Sequence, residues 1–286
     1  MLVSELDFFL PPELIAQTPA EPRDHSRLMI VRRDGEPLAH HHFYELPELL
    51  RPDDLLIFND TRVIRARLRG CKSTGAKVEA LLLREVEANL WEALLRPSAR
   101  LKTGSEIEFS SPDGRLKCKA KPEIRTGAGW LLRFESADNI RSLLPQLGEV
   151  PLPPYIRQTP RDEAQYQTIY ARSESGDNPL DSAAAPTAGL HFTPQLMANL
   201  RTRGVQFGFV TLAVGLGTFR PIQSETLEEH QMHAEEFEIA QTVAEAIAKQ
   251  RERGARVIAV GTTAARVLES VGDENGLVKA QSGVTQ

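Results

Sequence analysis

Apolar and polar positions follow two different rhythms along the 286 residues. In the first, short continuous apolar runs alternate with stretches of helical period. Arg27 to Val31 reads as a strand ended by the turn dipeptide Asp34-Gly35, Phe43 to Leu50 as a short amphipathic helix, and Leu55 to Phe58 as a buried strand. The same rhythm returns late in the chain. Leu196, Met197 and Leu200 mark a helix with Thr193 as N-cap, Pro194 in its first position and Gly204 beyond its end. Val205 to Val214 predicts a strand, Val243 to Arg253 an amphipathic helix stopped by Gly254, Val257 to Val260 a buried strand, and Ala264 to Ser270 a helix. The second rhythm occupies Gly70 to about Leu147. Alternating runs (Ala76–Leu83, Leu90–Leu95, Glu106–Phe109, Leu116–Ala120, Gly129–Phe134) are divided by Gly, Pro, Ser and Asp turns. Several short strands at regular spacing predict a small antiparallel barrel. The Pro-rich segment Val150 to Tyr155 is semi-rigid and returns the chain to the first kind of structure.

Composition narrows the class without naming it. Hydrophobic content of 41% and charged content of 26% describe an ordinary globular protein. No apolar run has the length of a membrane span, and the first ten residues carry Glu5 and Asp7 where a secretory leader has basic residues. These features predict a cytoplasmic protein with no membrane partner. Cys71 and Cys118, far apart and without ligands at metal spacing, read as reduced thiols. A net charge of −5 argues weakly against nucleic acid as a partner, but local patches differ from the average. Arg65, Arg67 and Arg69 alternate with small or apolar residues, which puts three guanidinium groups on one strand face. Between Arg96 and Arg133, nine lysines and arginines, Lys117 and Lys119 among them, stand against four carboxylates. The barrel is thus a candidate phosphate-facing surface, with a solvated, charge-protected edge as the alternative.

Candidate chemistry sits where strands end. Asn59-Asp60-Thr61-Arg62 follows a buried strand, the position at which open α/β sheets hold ligands. Pro186 to Phe192 brings Thr187, Gly189 and His191 to the start of a helix, where free N–H groups and the macrodipole favour an anion. Gly215 to Pro221 is a glycine-rich turn whose Gly217 allows close approach beside Thr218 and Arg220. Gly261-Thr262-Thr263 sets two hydroxyls at another helix start, with Arg266 one turn along. Glu229, His230 and His233 lie between these loops, and the two histidines are expected on one helix face. The spacing lacks the four-residue step and intervening Glu of a zinc protease, so no metal site is expected. His40, His41 and His42 alternate sides on a strand and read as surface residues. Taken together, the four loop clusters describe a single site assembled from successive βα loops.

Six segments then carry a resemblance. Phe58 to Ile64, Val150 to Ile156, Ala185 to Thr193, Gly215 to Pro221, Glu229-His230 with Met232-His233, and Val260 to Thr263 are collinear with the S-adenosylmethionine:tRNA ribosyltransferase-isomerases of queuosine biosynthesis, a family the chain resembles from Asp7 to Gly283. The resemblance implies an α/β (α+β mixed) fold. Its large α/β-barrel-like catalytic domain would comprise residues 1–62 and 150–286, interrupted by a small antiparallel β-barrel domain over residues 63–149. It implies a monomer, with tRNA carrying a modified wobble base as partner and S-adenosylmethionine as co-substrate and no other cofactor. The ribosyl moiety would move onto 7-aminomethyl-7-deazaguanine, giving epoxyqueuosine with release of adenine and methionine. Such a reaction needs a base for the sulfonium-acidified C5′ proton and an acid to assist adenine departure.

On that reading His191 and His230 are candidate proton carriers, since imidazole titrates near neutrality, and Asp60 and Glu229 are orienters or bases. Thr262, Thr263 and the amides around Gly261 are candidates for the methionine carboxylate. Arg62 and Arg220 are candidates for tRNA phosphate or donor orientation. Thr61, Thr187, Gly189, Phe192, Gly217, Thr218 and His233 complete the expected substrate contacts, and Arg65, Arg67, Arg69, Lys117 and Lys119 the expected tRNA contacts. Two departures stand out. Ala213 occupies a position where the family pattern has His, and the chain stops at Gln286 where members of the family continue. The alternative expectation is therefore a truncated, catalytically impaired tRNA-binding protein of the same family.

Overall fold

A computed structural model describes every residue except 128, 159–161, 174–179, 216–221, 223, 231 and 286, and the side chain of residue 100. The chain opens with short 3-10 turns and a hairpin of β1 (Arg27–Ile30) and β2 (Ala39–His42), paired from Arg27↔His42 to Ile30↔Ala39. A 3-10 turn at Phe43–Glu45 leads into α1 (Leu46–Leu49). Glu45 closes this corner by accepting from the His42 amide at 2.7 Å and the His41 imidazole at 2.9 Å. His41 and His42 are thus tied to one carboxylate, and His40 is exposed.

The large domain is built on β3 (Leu55–Asn59), whose five residues are all buried. Period-two alternation explains why both faces are apolar. Leu55 and Ile57 join one core cluster, while Leu56 and Phe58 join another with Phe192, Leu196, Met197 and Leu200.

The inserted domain follows as β4 (Arg67–Lys72), β5 (Lys77–Glu87), β6 (Leu90–Arg96), β7 (Ile107–Ser110), β8 (Lys117–Arg125) and β9 (Trp130–Glu135). These six strands close an antiparallel barrel in the order β4-β5-β6-β9-β8-β7. Inward-facing Leu68, Leu82, Trp91, Ile107, Phe109 and Leu132 fill it, each at most 1% exposed. A helix the alternating pattern did not announce, α2 (Ile140–Leu147), adds Ile140, Leu144 and Leu147 to the same core. Asn139 caps it by accepting from the Arg141 amide at 2.9 Å.

The chain re-enters the large domain and builds α3 (Pro194–Thr202), β10 (Gln206–Leu212), β11 (Glu236–Ile239), α4 (Gln241–Glu252), β12 (Val257–Ala259), α5 (Thr262–Val271) and β13 (Gln281–Val284). Thr193 caps α3 as expected, accepting from the Leu196 amide at 3.1 Å, and its hydroxyl in turn donates to the buried Asp24 at 2.8 Å. Gly204 and Gly254 end α3 and α4 with φ of 89° and 65°, the left-handed region a side chain would strain.

The resulting sheet runs β12-β3-β10-β11-β13. Its first three strands are mutually parallel, and β11 and β13 are added antiparallel. In place of the expected buried strand, β12 is a half-exposed edge strand, because β3 covers only one of its sides. The mixed α/β class with an inserted antiparallel barrel is the architecture observed. Among the described residues no helix is long and apolar enough to cross a membrane.

Candidate active site at the carboxyl ends of the parallel strands

Because β3, β10 and β12 are parallel, their carboxyl ends open on one edge of the sheet. Three loops leave from that edge: Asp60–Arg62, Ala213–Gly215 and Val260–Gly261. The turn at Thr187–His191 folds against them. A methyl placed on Gly261 would meet the Ala188 methyl at 3.1 Å, so the glycine, held at φ 86°, lets α5 start beside that turn. Two of the expected loops, Pro186–Phe192 and Gly261–Thr263, are thus side by side. Gly217, Thr218 and Arg220 lie outside the described residues.

Asn59 is fully buried and staples the edge. Its side-chain oxygen accepts from the amides of Thr61 and Leu212 at 3.1 and 3.0 Å, and its nitrogen donates to the Leu212 carbonyl at 3.1 Å. Asp60 turns toward the crossing segment. One carboxylate oxygen accepts from the Thr211 hydroxyl at 2.7 Å, and the other from Arg172 at 3.2 Å. Arg172 also reaches Glu238 at 3.2 Å. Thr61 is buried, its hydroxyl bonded to Ser182 and to the Leu180 carbonyl at 2.7 Å each. Phe192 is a core residue packed edge-on to Phe43 and Phe58. Thr61 and Phe192 therefore hold the loops in place, with no face toward a ligand.

His191 has a defined tautomer. Its Nδ1 lies 3.1 Å from the Ala188 carbonyl, which can only accept, so Nδ1 carries the proton and Nε2 is left as a proton acceptor. The ring stacks on Phe43 with centroids 5.1 Å apart. His230 and His233 do not share a helix: the described residues around them form turns and coil. Glu229 is exposed and His230 half-buried there. Without an apolar stripe the segment has nothing to pack a helix face against.

His233 instead lines a cleft of about 380 Å³ between barrel and sheet, together with Arg84, Glu92, Ala213, Gly215 and Glu235. Glu235, 6% exposed, accepts from the Gly215 amide at 2.8 Å and from Arg266 at 2.6 Å. Arg266 also donates to the His233 carbonyl. The Arg266 placed one turn into α5 is therefore spent on fixing the 215 and 233 loops. Thr262 and Thr263 occupy the first turn of α5, with Thr263 Oγ1 buried and without a partner among the described residues.

A second and larger cleft, about 750 Å³, opens on the other side of the Arg62–Arg65 connection and is lined by α2 and the Asp162–Gln167 segment. At its wall Arg141 of the inserted domain bonds Glu85 at 2.8 Å and Asp181 of the large domain at 2.9 Å. Burial pushes the Asp181 carboxyl up to about 6 despite the opposing charges of Arg141 and Arg62. Neither Arg172, Glu235 nor Asp181 stood out in the sequence. Each is an isolated charge whose partner lies far away along the chain, so no local spacing marks it.

The expected tRNA cations are all paired. Arg65 meets Glu163 at 2.7 Å, Arg67 meets Glu79 at 3.9 Å, and Arg69 meets Glu149 at 2.9 Å. Lys117 and Lys119 meet Glu108 and Glu106 at 2.7 and 2.9 Å. Among the described residues no group of three or more His, Cys, Asp or Glu is disposed to hold a metal ion.

Fold and site together describe a mixed α/β chain with polar loops at the carboxyl ends of parallel strands and a closed six-stranded barrel between β3 and β10. The model of a family described as a queuosine biosynthesis protein matches residues 3–286. An S-adenosylmethionine:tRNA ribosyltransferase-isomerase of Moorella thermoacetica is 47% identical over 287 residues, covering all of this chain and 81% of the relative. Proteins of the same name from Desulforamulus reducens and Gloeobacter violaceus are 48% and 49% identical, covering 100% and 96% of the chain and 81% and 75% of their own lengths. A crystal structure of the S-adenosylmethionine tRNA ribosyltransferase from Thermotoga maritima is 32% identical, covers 99% of this chain and 77% of its own, and superposes with a TM-score of 0.45. The chain belongs to the queuosine biosynthesis family of S-adenosylmethionine:tRNA ribosyltransferase-isomerases. The chain spans about four-fifths of the length of these curated relatives.

Proposed function

We propose that this chain moves the ribosyl moiety of S-adenosylmethionine onto 7-aminomethyl-7-deazaguanine at the tRNA wobble position, giving epoxyqueuosine-tRNA and releasing adenine and methionine. The observation that carries the reading is the family match over residues 3–286. Support comes also from three of the segments that underlie the resemblance, represented by Asp60–Arg62, Thr187–His191 and Val260–Gly261, which lie at or against the carboxyl ends of the parallel strands.

His191 takes the C5′ proton. Its Nδ1–H is bound to the Ala188 carbonyl, so Nε2 has the lone pair a base requires. His230 and Glu229, on the half-exposed coil, serve the departing adenine. The start of α5, with Gly261, Thr262 and the unpartnered Thr263 hydroxyl, binds the methionine carboxylate through free amides and the helix dipole. Asp60 lies against the donor sugar, while Arg62, Thr187, Gly189 and His233 line its surroundings. The barrel, with Arg65, Arg67, Arg69, Lys117 and Lys119, meets the tRNA backbone. Its cations exchange their present carboxylate partners for phosphate, so binding weakens as salt rises.

The test uses S-adenosylmethionine labelled in the ribose together with tRNA bearing the aminomethyl base. Label entering that tRNA, and not tRNA with guanine at the wobble position, is the expected result. Absence of transfer to either overturns the proposal.

A further inference from the structure

Tyr170 has no assigned role, yet it sits in the middle of the site. Its ring packs on Phe58 and Phe209 with centroids 4.8 and 5.6 Å apart. Two residues further along each segment, Arg172 donates from its amide to the Asp60 carbonyl at 3.0 Å. The segments 58–60 and 170–172 therefore run side by side, and the Tyr170 and Asp60 side chains leave the same edge. The phenol lies against the turn that carries His191: a methyl on Gly189 would overlap its oxygen and meet the ring carbon at 3.0 Å. Glycine at 189 is thus a condition for the hydroxyl being where it is.

That hydroxyl makes no hydrogen bond among the described residues, and the residue is half-buried. Thr168, 3% exposed and with its methyl 3.1 Å from the same glycine position, also buries a hydroxyl without a partner. A buried hydroxyl left unpaired, as at Thr168, beside a half-buried phenol that is also unpaired, leaves hydrogen-bonding capacity for an occupant. Burial, together with the nearby Asp60 charge, pushes the phenol well above its ordinary value, so it is a neutral donor at any physiological pH. Asp60, two residues beyond the Phe58 on which the Tyr170 ring packs, is an acceptor with two of its lone-pair positions taken by Thr211 and Arg172 and others open. A donor next to a carboxylate matches a group that both accepts and donates, which is a hydroxyl.

We propose that Tyr170 and Asp60 together hold a ribose hydroxyl of the S-adenosylmethionine co-substrate, the phenol donating to its oxygen and the carboxylate accepting its proton, with Gly189 keeping the phenol in place. The inference rests on the proposed ribosyl transfer and adds to it the contact that orients the sugar before the bond to adenine breaks. Tyr170 is a positioning residue for that step. It keeps its proton throughout, and no atom of the protein is consumed.

The test is calorimetric binding of S-adenosylmethionine and of its 2′-deoxy and 3′-deoxy analogues to the wild-type chain and to Tyr170→Phe. Loss of one neutral hydrogen bond weakens the co-substrate by about five- to tenfold. For the analogue that lacks the contacted hydroxyl, the wild-type and Tyr170→Phe affinities coincide, an outcome that a merely structural role for the ring does not produce. Gly189→Ala, which displaces the same oxygen, reproduces the loss on its own and adds little to Tyr170→Phe. Equal affinity of wild type and Tyr170→Phe for S-adenosylmethionine overturns the inference, as does an equal weakening for all three ligands. If the wild-type chain binds no S-adenosylmethionine, the function reading falls and takes this contact with it. If it binds the co-substrate and transfers label while Tyr170→Phe is indistinguishable from it, the contact alone falls.

Discussion

The barrel and the carboxyl edge of the sheet differ in which polar groups they pair. In the barrel every cation expected to face tRNA has a carboxylate within 4 Å, and the closed strand order leaves no unpaired edge. Its core is one continuous apolar cluster. At the carboxyl edge of the sheet, by contrast, hydroxyls of Thr168 and Thr263 are buried without partners, glycines bring loops within van der Waals reach, and His191 holds one nitrogen ready to accept. Buried atoms without a hydrogen-bond partner occur in the barrel as well, at Arg67 Nε, Glu85 Oε1 and Trp91 Nε1, so the difference lies in the kind of group left open: at the strand ends it is hydroxyls beside loops. The barrel has its own continuous core, while the proposed chemistry falls at the strand ends.

Substitutions that separate stability from turnover sharpen this contrast. His191→Ala is expected to lower the rate of adenine release by about 10²- to 10⁴-fold, the usual range for a general base, with an unchanged melting temperature. Trp91→Ala in the barrel core is expected to cost about 3–5 kcal/mol of stability in denaturant titrations. In whatever fraction remains folded, S-adenosylmethionine affinity should be retained. A fall in that affinity would break the division between the two regions.

The join between the regions gives a smaller, pH-dependent effect. Asp181 ionises near 6 in the folded chain and near 4 when unfolded, so the folded state binds the extra proton between those values. Stability from this group is fully present below about pH 4 and is lost as pH rises through about 6. Asp181→Asn should therefore flatten the decline and gain on the order of 1 kcal/mol relative to wild type at pH 7.5 compared with pH 4.5. Urea titrations at the two pH values decide it. The smallest effects belong to the exposed pairs. Arg69→Ala and Lys119→Ala should each change stability by less than about 1 kcal/mol, and each should make the log–log salt dependence of tRNA binding shallower by about one.

Much of this was legible in the chain before folding, and the misses share a cause. Leu55–Phe58 announced a two-sided strand, Thr193-Pro194 a helix start, and the alternating runs from Ala76 to Phe134 a barrel, because each signal is local and repeats with a fixed period. The helix α2 was lost among strands because Ile140, Leu144 and Leu147 span only two turns and Pro145 interrupts them. The histidines at 230 and 233 suggested a helix face by spacing alone, but no apolar residues back that face. The pairing of Arg65, Arg67 and Arg69 with Glu163, Glu79 and Glu149 was out of reach. A period of two shows which way side chains point and says nothing about which distant carboxylate comes to meet them. Tyr170 was similarly silent, since only the fold brings its hydroxyl against Gly189.

The central claim is that the chemistry lies at the strand ends and runs through His191. The most direct measurement is adenine release from S-adenosylmethionine by the wild-type chain and by His191→Ala, each with tRNA bearing the aminomethyl base and with unmodified tRNA. The account predicts adenine only from the wild type with the modified tRNA, and a loss of at least about a hundredfold in the variant while tRNA binding is retained. A His191→Ala chain that releases adenine at the wild-type rate would contradict it.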